Sequence, residues 1–149
     1  MYKNKKNFFN FPRPYVFVPM AADILHAGHI NILKNASKYG SVIVGLMTNK
    51  GIQSYKKKKP LFSYNHRKII LNNLKIVRKI IPINGLKYVN FAKKYKFDFF
   101  VHGSDWLKGP QSMQRLKLKL IMPEWKGKVI DIPYTKGFSS SKFKRQIKC

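Results

Sequence analysis

Five short, mostly apolar runs recur along the chain, each separated from the next by a stretch with helical spacing or helix-capping residues. They are Tyr15-Val16-Phe17-Val18, Ser41 to Met47, Val77 to Ile83, Phe99-Phe100-Val101 and Val129-Ile130-Asp131-Ile132. Runs without strict polar–apolar alternation suit strands covered on both faces. Strand–helix alternation then implies a parallel sheet between two helical layers. The fold read from this is α/β: a single doubly wound, Rossmann-like domain over residues 15–149, with a five-stranded parallel sheet and helices on both faces. Residues 1–14 lack periodicity, end in Pro-Arg-Pro and read as a basic N-terminal arm.

Helices are expected over 27–39, with Ile30, Leu33 and Ala36 inward and Gly40 as the stop. Another is expected over 64–74, capped by Ser63, with Ile70 and Leu74 inward. Further helices are expected over 88–95 and from Pro110 to about Met122. A short final helix is capped by Ser139, Ser140 or Ser141. Residues 49–63, with the Lys56–Lys59 run and Pro60, read mostly as a mobile loop.

At 149 residues and 44% hydrophobic, the chain is one domain's length and can build a core. Its formal charge of +26 invites a nucleic-acid reading. Yet each half of the chain carries +13, with no basic tail. Lys (26), Asn (11) and Ile (15) are abundant beside only 5 Arg, the signature of an AT-rich genome. The charge is therefore read as background that draws in polyanions generally, and no nucleic-acid partner is expected. No run approaches the roughly 20 apolar residues of a membrane span, and the start lacks a signal peptide's apolar region. A cytoplasmic protein is expected, with no membrane partner. The single cysteine, Cys149, allows no internal disulfide or cysteine metal cage.

The polar residues with chemical potential fall at the carboxyl ends of strands, where open parallel sheets bind ligands. Asp23, His26, Gly28 and His29 follow the first strand. His102, Asp105 and Trp106 follow the fourth, and the 135–141 turn follows the fifth. In His26-Ala27-Gly28-His29 two imidazoles flank a glycine at a helix start. Unpaired N–H groups and the helix dipole suit a phosphate there, and Gly28 lets an anion approach the backbone. Each imidazole can donate to phosphate oxygens, more strongly if protonated. Two other readings are a metal pair completed by Asp23 and two histidines that only cap the helix. Asp105 beside Trp106 suits an amino or quaternary ammonium group, or else Trp106 is buried and Asp105 caps the turn. His66 reads as a surface residue and Trp125 as packing.

Asp23-Ile24-Leu25-His26-Ala27-Gly28-His29 resembles the signature of the HxGH nucleotidyltransferases, more narrowly the cytidylyltransferases with FDxxHxGH. Tyr134 to Ser141 resembles their second signature, RTxGISTT. Met20-Ala21-Ala22-Asp23, Ser54-Tyr55-Lys56, His102 to Trp106 and Pro133 to Gly137 together look like the phosphonate branch associated with phosphoenolpyruvate mutase. Four positions depart from the patterns. Met20 stands where many cytidylyltransferases have Gly, Tyr134 replaces Arg, Ser104 replaces a first Asp, and Phe138 replaces Ile.

The resemblance implies transfer of CMP from CTP to a small phosphonate or phosphate acceptor such as 2-aminoethylphosphonate, releasing pyrophosphate. It casts His26, His29 and Lys56 as catalytic: the histidines on the nucleotide phosphates, the lysine on a flexible loop over the β- and γ-phosphates. Met20, Ala21, Ala22, Asp23, Gly28, Thr135, Gly137, Ser139, Ser140 and Ser141 fall at nucleotide-binding positions. Arg67 is a further cation for the nucleotide or a surface residue. His102, Asp105 and Trp106 are assigned to the acceptor or the base. Mg²⁺ is expected to arrive with the triphosphate, with few protein ligands beyond a contribution from Asp23 and no dedicated metal site. Glycerol 3-phosphate as acceptor, or ATP as donor, are the alternatives within the superfamily. A basic nucleic-acid binder on the same fold is the non-enzyme alternative. A homodimer enters by analogy alone.

Overall fold

The computed structural model describes residues 4–147. Cys149 lies outside the described residues. The strands are β1 (Tyr15–Met20), β2 (Ser41–Met47), β3 (Val77–Ile83), β4 (Phe99–Gly103) and β5 (Lys128–Ile132). They form one sheet in the order β3-β2-β1-β4-β5, with every pairing parallel. β1 takes the centre because all six of its residues can be buried. The helices are α1 (Ala27–Ser37), α2 (Asn49–Lys56), α3 (Tyr64–Asn72), α4 (Tyr88–Tyr95), α5 (Ser112–Ile121) and α6 (Ser140–Ile147).

Alternate strand residues feed two cores, as the pleat requires. Phe17, Ile43 and Phe100 pack with Ile52 of α2, Tyr88 and Ala92 of α4, and Leu118 of α5. Val16, Val18, Val44 and Val101 pack with Leu33 and Ala36 of α1 and Leu71 of α3. Each fully buried leucine among these stabilises the fold by roughly 1.5–3 kcal/mol relative to exposure. Residues 4–14 form no helix or strand but are tied down. Phe11 is buried in the first core, and the buried Asp98 carboxylate pairs with Lys5 and Arg13 while accepting from the Tyr15 N–H.

Three expectations are corrected. Residues 49–56, read as loop, are helix α2. Thr48 Oγ1 caps it by accepting from the Gly51 N–H, and Ile52 buries its inner face. A Cβ at Gly51 would stand 2.6 Å from the Gly85 nitrogen, so the helix docks closely only with glycine there. In α3 the inward residues are Arg67 and Leu71, whereas Ile70 is exposed. Pro110 sits in the turn before α5, which begins at Ser112. The remaining element boundaries shift by a residue or two.

Strand order reverses direction between β1 and β4. The connection after β1 leaves toward β2, the one after β4 toward β5, and a crevice opens between them. This crevice holds the site.

Candidate active site

A cavity of about 210 Å³ opens at the carboxyl ends of β1 and β4. Its walls come from the 18–22 segment, the start of α1, the end of α2, the turn after β4 and the 134–141 segment. Of the residues named from sequence, it brings together Met20, Ala21, Ala22, His26, Gly28, His29, Lys56, His102, Asp105, Thr135, Ser139, Ser140 and Ser141. Asp23, Arg67, Trp106 and Gly137 are not among its lining.

His26 and His29 do cap α1, and they do it reciprocally. His26 Nδ1 accepts from the Gly28 N–H at 3.0 Å, and His29 Nδ1 accepts from the His26 N–H at 3.2 Å. An imidazole whose Nδ1 accepts carries its proton on Nε2. Both rings are therefore neutral, with an Nε2–H left over as donor. The rings lie 4.0 Å apart at the cavity wall. Burial lowers the pKa of both, and His29, also facing His26 and Lys56, falls to about 3. In the free protein the two imidazoles are thus neutral Nε2–H donors. Gly28 has a steric reason too: a Cβ there would stand 2.8 Å from His26 Cε1.

The depressed pKa makes a stability prediction. Unfolded, His29 takes up a proton as pH falls through about 6.5; folded, it resists until about 3. The unfolded state binds more protons across that window, so stability is lost as pH falls from 6.5 toward 3. At pH 5 the cost is about 2 kcal/mol for this one group. Denaturant midpoints at pH 7 and 5 are expected to show that loss in the natural protein and a smaller one in His29→Asn. Asp23 and Asp131, both held below 3.8, add their own losses mainly at the acid end of this window, below the pH 5 measurement.

Lys56 is the last residue of α2 and lines the cavity. Burial, then the nearby Lys144, lowers its pKa, with Asp23 and Asp105 partly offsetting. Lys57 turns the chain away in a left-handed conformation, and Lys57, Lys58 and Lys59 do not line the cavity. Across the mouth, Thr135 Oγ1 accepts from Asn31 on α1, and the Tyr134 N–H donates to Ser104 Oγ. Ser139 Oγ caps α6 by accepting from the Lys142 N–H, while Ser140 Oγ donates to the Ile24 carbonyl. Gly137 forms the turn ahead of these serines, at a φ of 86°.

Asp23 anchors the mouth from behind. Its carboxylate accepts from the Leu61 and Phe62 N–H groups and pairs with Lys144 on α6. Burial alone would raise its pKa, but these bonds outweigh burial and hold it below 3.8. Both its oxygens are engaged. Among the described residues no cluster of three or more His, Cys, Asp or Glu could hold a metal ion.

Arg67 is only 1% exposed. Its guanidinium donates to the carbonyls of Ala21 and Met47 at 2.7 Å, to the Phe62 carbonyl and to Asn49 Oδ1. It is neither a surface cation nor a group facing the cavity; it locks the segments following β1 and β2 together. Trp106 likewise lies beneath the site. Its Nε1–H donates to Asp131, which Arg115 grips with two nitrogens, and the His102 ring stacks 4.3 Å above it. Asp105, at 55% side-chain exposure, is the one carboxylate at the cavity wall among the described residues. His66 is exposed against Phe62, and Trp125 packs in the core with its N–H on the Phe97 carbonyl.

Tyr55, Tyr88 and Gln111 also line the cavity and were assigned no role from sequence, Tyr55 standing only inside the Ser54-Tyr55-Lys56 match. Tyr88 OH donates to Gln111 Oε1, which leaves the amide NH₂ of Gln111 for another partner. Burial raises both phenols, Tyr55 to about 12, so both stay protonated donors. Only topology could have flagged them: each lies beyond the carboxyl end of a strand.

Residues 21–146 match the family model described as cytidylyltransferase-like. The chain is 30% identical over 131 residues to glycerol-3-phosphate cytidylyltransferase of Bacillus subtilis (strain 168), covering 84% of this chain and 90% of that protein. The enzyme of the same name from Bacillus spizizenii (strain ATCC 23059 / NRRL B-14472 / W23) is 33% identical, with the same coverage. D-beta-D-heptose 1-phosphate adenylyltransferase of Bordetella bronchiseptica (strain ATCC BAA-588 / NCTC 13252 / RB50) is 26% identical, covering 83% of this chain and 75% of that protein. Among solved structures, a lipopolysaccharide core biosynthesis protein from Thermoplasma volcanium GSS1 superposes with a TM-score of 0.65 at 23% identity, covering 83% of this chain and 98% of the other. These relatives lend no support to the narrower phosphonate resemblance.

Proposed function

This chain belongs to the cytidylyltransferase-like family, and from that premise we propose that it transfers CMP from CTP to glycerol 3-phosphate. The nucleotidyltransferase reaction class follows from the family and its enzymatic relatives. The acceptor rests on likeness to glycerol-3-phosphate cytidylyltransferases along nearly their whole length. The observation carrying the chemistry is the reciprocal histidine cap, which leaves two Nε2–H donors at a helix start inside the crevice.

A phosphate oxygen of the acceptor attacks the α-phosphorus of CTP. A new P–O bond forms, the bond to the bridging oxygen of the β-phosphate breaks, and pyrophosphate leaves. The protein supplies position and charge. His26 and His29 donate to the α-phosphoryl oxygens as charge gathers on them. Lys56 neutralises charge on the departing pyrophosphate. The hydroxyls of Thr135, Ser139, Ser140 and Ser141 and the N–H groups opening α6 meet the remaining phosphates and ribose. Mg²⁺ would arrive with the nucleotide triphosphate and offset phosphate charge, and Asp105, a carboxylate of the cavity lining, would be placed to meet it.

Pyrophosphate release is the test, with CTP or ATP against glycerol 3-phosphate, heptose 1-phosphate, 2-aminoethylphosphonate and phosphocholine. Turnover is expected with CTP and glycerol 3-phosphate. A preference for ATP with heptose 1-phosphate would overturn both donor and acceptor. No turnover with any pair, beside tight and salt-sensitive RNA binding, would overturn the enzyme reading. Within the same assay Lys56→Ala is expected to lower kcat by ~10-fold or more, and Lys58→Ala to change it by less than about 2-fold. Equal effects would reduce the lysine run to a diffuse field.

A further inference from the structure

The outer face of α5 is apolar where a helix flanking a sheet is ordinarily polar. Only Leu118 of this helix is fully buried. On the opposite side stand Met113, Leu116 and Leu120, 56%, 52% and 79% exposed. Their spacing of three and four places them in one stripe. Exposed Lys117 and Lys119 flank the stripe, and the helix contains no acid. The 3-10 turn Ser104–Leu107 packs against α5 and carries exposed Leu107 and Asp105, with exposed Lys108 following. A single exposed leucine means little, but a contiguous apolar stripe bordered by lysines on a chain of charge +26 calls for a partner.

We propose that α5 is a peripheral docking surface for an anionic lipid bilayer. Two features favour a bilayer over a second copy of this chain. From Met113 to Leu120 the stripe is about 10 Å long and about one helix wide, on the order of 100 Å², far short of the ~1,000 Å² a stable protein interface needs. A second copy would also set another +26 against the first. A bilayer asks for less. Apolar side chains standing out from a convex helix enter the acyl boundary, and lysines on both flanks meet anionic headgroups. Gln111, just ahead of α5, lines the reaction cavity, so docking along this helix would set the cavity beside the membrane surface. The inference does not depend on which acceptor the enzyme uses.

The test is co-sedimentation of the full chain with vesicles of phosphatidylcholine alone or mixed with phosphatidylglycerol. Leu116→Gln/Leu120→Gln breaks the stripe without changing charge, and Ile69→Gln, at an exposed position of α3, is the control. Binding is expected only to the mixed vesicles, weakening with salt. It should fall at least ~10-fold in the double variant and hold in the control, with unchanged melting midpoints. Absent binding would overturn the proposal, as would binding that survives the double variant or falls equally in the control. A concentration-dependent dimer that the double variant dissolves would overturn it in favour of a second copy.

Discussion

Replacing His29 with alanine is expected to cut kcat by at least ~100-fold, the scale of losing one donor aimed at transition-state charge. The same change removes the acceptor for the His26 N–H, so it should also cost on the order of 1 kcal/mol in stability. The two effects can be separated. Asparagine can accept from the His26 N–H through its side-chain oxygen but has nothing at the position of Nε2. His29→Asn is therefore expected to melt near the natural protein at pH 7 and still lose turnover like the alanine variant. Near-natural turnover in His29→Asn would mean that the histidines serve the helix alone.

The largest stability effect is expected at Arg67. Arg67→Met keeps the stem's packing and removes every donor from the Ala21, Met47 and Phe62 carbonyls and the Asn49 amide oxygen. Buried acceptors left unpaired cost about 1–3 kcal/mol each, less where water can reach them, so a loss of roughly 3 kcal/mol or more is expected in denaturant melts. Arg67→Lys should recover little, because one ammonium cannot span a planar fork's four partners. KM should rise in both, since Ala21 and Met47 line the cavity. A variant with unchanged stability and a raised KM for CTP would show that Arg67 meets the nucleotide directly.

The strand pattern was legible because uninterrupted runs such as Val16–Val18 and Val42–Val44 have one comfortable place, inside a covered parallel sheet. The His26–His29 cluster was legible because its residue types are rare and stand at a strand's carboxyl end. Helix α2 was not, because Gly51 and the lysines read locally as loop, whereas Ile52 and the close approach to Gly85 are tertiary facts. Leu71 takes the inward place expected of Ile70 for a similar reason: α3 is rotated to carry Arg67 inward, and an inward arginine is not what an apolar periodicity seeks. A signal for Arg67 did exist. In a chain with 26 lysines and 5 arginines, three arginines, Arg13, Arg67 and Arg115, each make several hydrogen bonds through the planar fork. The scarce residue marks places where a lysine would not serve. The acids follow a related rule: Asp23, Asp98 and Asp131 each join separate segments, and Asp105 stands at the cavity.

The reciprocal histidine cap has a consequence for how such a chain can drift. One nitrogen of each ring holds the helix start while the other is left for chemistry, so selection for foldability alone already resists losing either ring. A descendant that no longer needed the reaction would keep the motif for some time, its histidines outlasting its turnover. In this fold, an intact His26-Ala27-Gly28-His29 answers to a folding requirement as well as to the proposed catalytic one.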